Sequence, residues 1–248
     1  MAKYVVSVEW GDAPHITPDK QAEYIGAYLP HEVEARTKGY PSIGAGKIFP
    51  ILESQFVVTP FAIPSYWPRV YALDVGFKRT AAVWGALDPI TETWYLYDEY
   101  YAAEQQPPIH AAAIRAKGKW IPGVIDPSSM RGNDRDGRKL MIEYQNLGME
   151  DLHKADNAVE LGITRMLLAL SSGKFKVFIN CQNWLAEYRI YRYNDRGEVA
   201  RNQEDHLMDS TRYLINSGHR YAACPPDEFG SSRKRSPIFT NRDDITGC

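Results

Sequence analysis

Between residues 69 and 101 the apolar and aromatic positions come in three dense runs, RVYALD (69–74), TAAVWGAL (80–87) and TWYLYDEYY (93–101), separated by a few turn-forming residues. Runs this short and this rich in Val, Thr, Trp and Tyr predict strands. Their short links, the second marked by Asp88-Pro89, predict an antiparallel meander. Pro107 and Pro108 then open a helix to about Ala116, and WIPGVID (120–126) predicts a strand that returns after a helix and so pairs in parallel. Helices over 136–146 and 156–171, the strand KFKVFI (174–179) and a helix from Gln182 continue an alternating α/β pattern. IYRYNDRGEVAR (190–201) predicts a small hairpin turning at Asp195-Arg196-Gly197. Upstream, YVVSVEW (4–10) predicts a strand, and Thr17-Pro18 an N-cap and first position of a helix running to about 37. GYPSIGAGKIFP (39–50) reads as loop, and the Pro/Gly/Ser-rich segment beyond Ala223 as a flexible tail.

The segment EDHLMDSTRYLI (204–215) follows a helical period with an unusual polar face. At about 100° per residue, Leu207, Met208, Thr211, Leu214 and Ile215 fall on one side, and Asp205, His206, Asp209 and Tyr213 on the other. Asn202, three residues before Asp205, predicts an N-cap, and the helix dipole explains an acid in the first turn. Asp209 lies a turn deeper, where the dipole has faded and Asp is a mediocre helix former, so it marks either a solvated face or a site.

Two further acids end predicted strands. Asp74 precedes Val75-Gly76 and Asp126 precedes Pro127-Ser128. As parallel neighbours, their strand ends would lie ~5 Å apart in the crevice where α/β sheets place ligands. Either acid alone reads as a solvated strand end. With Asp205, His206 and Asp209 nearby, the set reads as a cation site, because close carboxylates repel until a cation neutralises them. Oxygen donors, few nitrogens and no thiolates favour Mg2+ or Mn2+ over zinc. Two such ions roughly 3.5–4 Å apart activate a water and stabilise a leaving oxygen, which is the chemistry of phosphodiester hydrolysis.

The 248 residues, 44% hydrophobic, suit one large domain or a domain with an appendage. A net charge of −2 supplies no global basic field, so nucleic-acid binding would need local patches. Candidates are Lys78 and Arg79; Arg131, Arg135, Arg138 and Lys139; Arg189, Arg192, Arg196 and Arg201 interleaved with Tyr188, Tyr191 and Tyr193; and Arg233-Lys234-Arg235. Gly44-Ala45-Gly46-Lys47 is not a phosphate loop, since Pro41 and Ile48 stand where Gly and Ser or Thr are needed. Cys181, Cys224 and Cys248 form neither a CxxC pair nor an even set, which favours a reducing compartment. The remaining histidines, His15, His31, His110, His153 and His219, show no ligand spacing. No signal-peptide core or apolar run of ~20 residues is present, so the expectation is a soluble, cytoplasmic protein without membrane contact.

The meander ending LDVG (73–76), the strand ending VIDPSS (124–129) and the helix motif DHLMDSTRY (205–213) together resemble the nuclease domain of tailed-bacteriophage terminase large subunits, a ribonuclease H-like fold. The resemblance covers roughly residues 60–216, and DHxxDxxRY is its most specific element. It implies a mixed five-stranded sheet, an antiparallel meander plus parallel strands, flanked by helices. Asp74, Asp126 and Asp209 are then the metal-binding acids and catalytic residues. His206 matches a position that some members fill with a further acid, and Asp205 either supports the metal or caps the helix. WGDAPHIT (10–17) and EARTKGYPSIGAGKIFP (34–50) are similar to the end of the family's ATPase domain and its linker. The implied division is 1–58 as that remnant, 59–222 as the nuclease domain and 223–248 as the tail. The implied activity is metal-dependent endonucleolytic cutting of concatemeric double-stranded viral DNA during packaging, with little sequence preference. It would take place in the cytoplasm of an infected bacterium, with the portal protein, the small terminase subunit and the ATPase domain as partners. A non-catalytic docking module of the packaging motor, or a resolvase- or integrase-like nuclease of the same fold, is the alternative.

Overall fold

The computed structural model describes residues 10, 16–27, 46–76, 78–126, 133–194, 196–200 and 203–226, with only the helical backbone for 133–139. The expected strand before Trp10, the continuation of the first helix past Ala27 and the tail beyond 226 lie outside these residues, as do Arg131, Arg201 and Arg233-Lys234-Arg235. Seven strands form one sheet: β1 (Val57–Val58), β2 (Arg69–Val75), β3 (Thr80–Asp88), β4 (Thr93–Ala102), β5 (Gly123–Ile125), β6 (Leu152–Lys154) and β7 (Phe175–Phe178). The order across the sheet is β1-β7-β4-β3-β2-β5-β6. β2–β3 and β3–β4 are antiparallel, and every other pairing is parallel. The five expected strands are the five inner ones. The two additional strands are the edges, at two and three residues too short to imprint a period.

The helices are α1 (Pro18–Ala27), α2 (Glu53–Phe56), α3 (Pro107–Ala116), α4 (Asn133–Asn146), α5 (Val159–Ser171), α6 (Gln182–Ile190) and α7 (His206–Ser217). Alternation along the strands divides the core in two. Val70, Ala72, Ala81, Val83, Leu96 and Val124 face α5, α6 and α7, where Met166, Trp184, Leu207, Met208 and Leu214 cover them. Tyr71, Leu73, Ala82, Trp84 and Ile125 face the other way, onto Ala111 and Ile114 of α3 and Tyr144 of α4. Phe49 and Phe56 join the first of these layers, so residues ahead of β1 are docked on the same core. The predicted hairpin near 190–201 is a short one, with Tyr193 opposite Val199 and the amides of Asn194 and Ala200 donating to the carbonyls of Glu198 and Arg192.

β3 is buried at every position, and its small residues let α7 approach closely. A Cβ placed on Gly85 would lie 2.8 Å from Leu214 Cδ1. This closeness corrects the expected amphipathic reading of α7. Tyr213, assigned to the polar face, is 2% exposed, whereas Ile215, assigned to the apolar face, is only partly buried. α7 is sandwiched between β2, β3 and β5 on one side and α5 and α6 on the other, so almost all of its circumference is inside the protein.

Candidate active site

Asp74 has the parity of Val70 and Ala72 and therefore faces α7 from the end of β2. β5 runs parallel to β2 with Leu73 opposite Ile125, and the Asp126 amide donates to the Leu73 carbonyl at 3.0 Å. That bond carries the ladder one residue past β5 and sets Asp126 beside Asp74. Asp209 enters from the first turn of α7, and His206, the first residue of that turn, places Nδ1 2.9 Å from Asp74 Oδ2. Asp74 is 9% exposed and Asp126 5%, so neither is the solvated strand end that each resembles in isolation.

Burial dominates the electrostatics. It pushes the Asp74 carboxyl up to about 6, against the His206 hydrogen bond, with Asp209 and Asp126 adding to the rise. Asp205 is pushed up to about 7 by burial and then by Asp209. Asp209 is also raised by burial, opposed by Arg212. The Tyr213 phenol is raised by burial and then by the charges of Asp209, Asp74 and Asp126, so all three acids lie within electrostatic reach of it. Arg212 meets Asp209 with Nη2 2.6 Å from Oδ1, and its Nη1 donates to Asn157 Oδ1 at 2.7 Å. With Asp74 turned onto His206 and Asp209 onto Arg212, no three His, Cys, Asp or Glu side chains among the described residues are arranged as a ready ligand group. The donor chemistry nonetheless fits a divalent cation: buried, mutually repelling carboxylate oxygens from three separate elements.

The start of α7 is held by a residue outside the sequence motif. Asp205 occupies the N-cap position but makes no capping bond. Glu187 of α6 does so instead, its Oε2 accepting from the amides of Leu207 at 2.7 Å and Met208 at 3.2 Å. α6 is capped in the same way by Glu99 of β4, which accepts from the Asn183 and Trp184 amides at 2.9 and 2.8 Å. These tertiary caps have no signature in local sequence. Arg212 did stand inside the DHxxDxxRY motif, but its role depends on Asn157, 55 positions away.

The other sequence candidates separate clearly. Arg189 is bound by both oxygens of Glu53 at 2.7 Å. Tyr188 and Tyr191 are buried, and Tyr188 donates to the carbonyl of Ile51 at 2.7 Å. These residues fix the 46–56 segment to α6 and are not a nucleic-acid surface, which corrects that expectation. His110 is buried with Nδ1 2.8 Å from the Tyr100 hydroxyl, and His153 lies against Asp151 and stacks on Tyr221. Cys181 is buried and Cys224 exposed. Arg79 remains beside the acids, 3.7 Å from Glu204.

No protein-family model matches the chain. Over 218 residues, 84% of the chain, it is 28% identical to the terminase large subunits of Enterobacteria phage LP7 and Salmonella phage P22. Its fold matches the P22 large terminase nuclease domain with a TM-score of 0.68 and 25% identity, covering 74% of this chain and 97% of that one. In sequence and fold the chain is thus similar to large-terminase nuclease domains. It spans 45% and 43% of the lengths of the LP7 and P22 relatives. The SPP1 large-terminase nuclease domain with bound Mn shares the fold at a TM-score of 0.50 and 18% identity, covering 63% of this chain and 92% of that one. The G20c large-terminase nuclease with bound cobalt shares it at 0.51 and 13%, covering 70% and 98%. Among the described residues no helix is long and apolar enough to cross a membrane.

Proposed function

We propose that this domain is a divalent-metal-dependent endonuclease that cuts double-stranded viral DNA during genome packaging. The observation that carries the reading is the delivery of Asp74 and Asp126, both buried at the ends of parallel strands, and of the half-buried Asp209 of α7 to one rim where their charges act on one another. These three acids hold two ions, Mg2+ or Mn2+, with His206 and Asp205 at the margin. The metals bound in the SPP1 and G20c nuclease structures support a divalent ion. When bound, the ions supply an acidified water and stabilise the leaving oxygen. The protein's share is positional. His206 orients Asp74, Arg212 orients Asp209, and Tyr213 backs the cluster with a buried phenol.

In the chain as a whole, residues 1–58 correspond to the end of an ATPase domain and its linker, 59–222 to the nuclease and 223–248 to a tail. The 46–58 stretch is docked on the nuclease core. Double-stranded DNA is the substrate, and the portal protein, the small terminase subunit and an ATPase domain are the partners, in the cytoplasm of the infected host. The test is incubation of supercoiled plasmid with Mg2+, Mn2+ or EDTA across a salt series. Nicking and linearisation that need metal but no nucleotide, fall with salt and vanish in Asp209→Asn are the expected result. Cleavage surviving EDTA would overturn the metal reading, and metal-independent DNA retention without any cleavage would favour a docking module.

A further inference from the structure

β2 does not end at Asp74 without consequence for β3. A Cβ on Gly76 would stand 2.8 Å from the Arg79 carbonyl oxygen, so only glycine permits this return, and Thr80 Oγ1 donates to the Gly76 carbonyl at 3.2 Å. The tight return delivers Arg79 to the edge of the acid cluster. Its guanidinium lies over the Tyr101 ring, 4.6 Å from the centroid, within cation–π range. One oxygen then receives everything that converges there. Glu204 Oε2 is 3.7 Å from Arg79 Nε, 3.2 Å from the Tyr101 hydroxyl and 3.7 Å from His206 Nε2, while His206 Nδ1 sits on Asp74.

The geometry points to an anion subsite: we propose that Arg79 and Tyr101 bind a backbone phosphate of duplex DNA, and that the Glu204 carboxylate fills the phosphate's place in the free protein. This rests on the nuclease reading and names where that substrate's backbone is held. Glu204 is a poor permanent partner. Its side chain is 57% exposed, and at 3.7 Å it makes no hydrogen bond to Arg79 Nε, a buried N–H without a hydrogen-bond partner among the described residues. A phosphate presents several charged oxygens to a guanidinium fork and satisfies it better than one distant carboxylate oxygen. Burial, followed by the charges of Glu187 and Glu204, pushes the Tyr101 phenol up, so its hydroxyl stays a donor. Because His206 touches both Glu204 and Asp74, a phosphate taking Glu204's place lies next to the acids, and the adjoining backbone passes over them.

The test separates binding from cleavage by measuring fluorescence anisotropy of a short labelled DNA duplex in EDTA, across a salt series. Arg79→Gln should weaken binding by about tenfold. It should also reduce the slope of log affinity against log salt by about 0.9, the signature of one lost phosphate contact. Arg79→Lys should fall between, keeping the charge but losing the fork and the stacking. Glu204→Gln should tighten binding, and that gain should disappear in the Arg79→Gln background. Thermal melting identifies any variant that has merely lost its fold, and Arg79→Lys, the gentler change, then carries the comparison. Wild-type affinity and salt slope in Arg79→Gln, or weaker binding in Glu204→Gln, would overturn the subsite. A wild-type protein that does not bind duplex would overturn the subsite and the nuclease reading together. Binding that follows the predicted pattern, with no cleavage when Mn2+ is supplied, would uphold the subsite and sink only the nuclease reading.

Discussion

Replacing Glu187 by Ala removes the acceptor that serves two backbone amides at the start of α7, at 2.7 and 3.2 Å. Glu187 is 3% exposed, so water cannot substitute for it, and each orphaned buried N–H costs about 1–3 kcal/mol. The two bonds are unequal in length, so a total of about 2–4 kcal/mol is reasonable for the pair. At about 2–4 °C per kcal/mol for a domain of this size, Glu187→Ala should melt roughly 4–16 °C below wild type. Glu187→Gln is the informative contrast. Burial raises the Glu187 carboxyl, so its charge is itself costly, and glutamine keeps an acceptor oxygen while removing that cost. The Gln variant should stay within about 1 kcal/mol of wild type. Differential scanning calorimetry in EDTA at neutral pH reads both values. An Ala variant melting within about 2 °C of wild type, or a Gln variant as unstable as the Ala variant, would refute the argument that two satisfied amides rather than a buried charge secure the helix.

Three further outcomes follow from the same physics. Arg212→Ala leaves the half-buried Asp209 carboxylate without its cation and should cost about 1–3 kcal/mol, less than a fully buried pair because water reaches Asp209, with most of it recovered in the Arg212→Ala, Asp209→Asn double variant; urea denaturation of the cycle measures the coupling, and additive losses would deny it. Asp126→Asn should abolish cleavage while melting at or above the wild-type temperature in EDTA, since it relieves carboxylate repulsion without emptying the core; an active Asn variant would remove Asp126 from the site. Burial lowers the His110 pKa below 6.5, despite its bond to the Gln105 carbonyl, so the folded state takes up fewer protons there than the unfolded chain. Its contribution is complete above pH 6.5 and is lost as pH falls toward the folded pKa, a slope that should flatten in His110→Gln and whose persistence would assign it elsewhere.

The meander, the parallel strand at 123–125 and the acids at both strand ends were legible because they depend on dense apolar runs and on chain order. The edge strands at Val57–Val58 and Leu152–Lys154 were not, because two or three residues carry no period. The helical motif at 205–213 drew attention to residues that lie beside Asp74, but its faces were misjudged. A period of 3.6 shows which residues share a side, not how many sides are covered, and α7 is covered both by the sheet and by α5 and α6. Glu187, Glu99 and Asn157 were invisible for a related reason: each acts on residues that only the folded topology brings near. Arg189, Tyr188 and Tyr191 gave a false nucleic-acid signal, because the same residue types also build a buried clamp on an incoming segment, as Arg189 does with Glu53, while Arg192 and Arg196 stay exposed.

The central claim is that Asp74, Asp126 and Asp209 together hold divalent ions. Crystals of the protein soaked in Mn2+ and measured near the manganese absorption edge test it directly. Two anomalous peaks bounded by carboxylate oxygens of these three residues, with Asp209 turned at least partly away from Arg212, are the predicted result. An unchanged acid cluster without anomalous density, at a Mn2+ concentration that supports plasmid cleavage, would contradict the account.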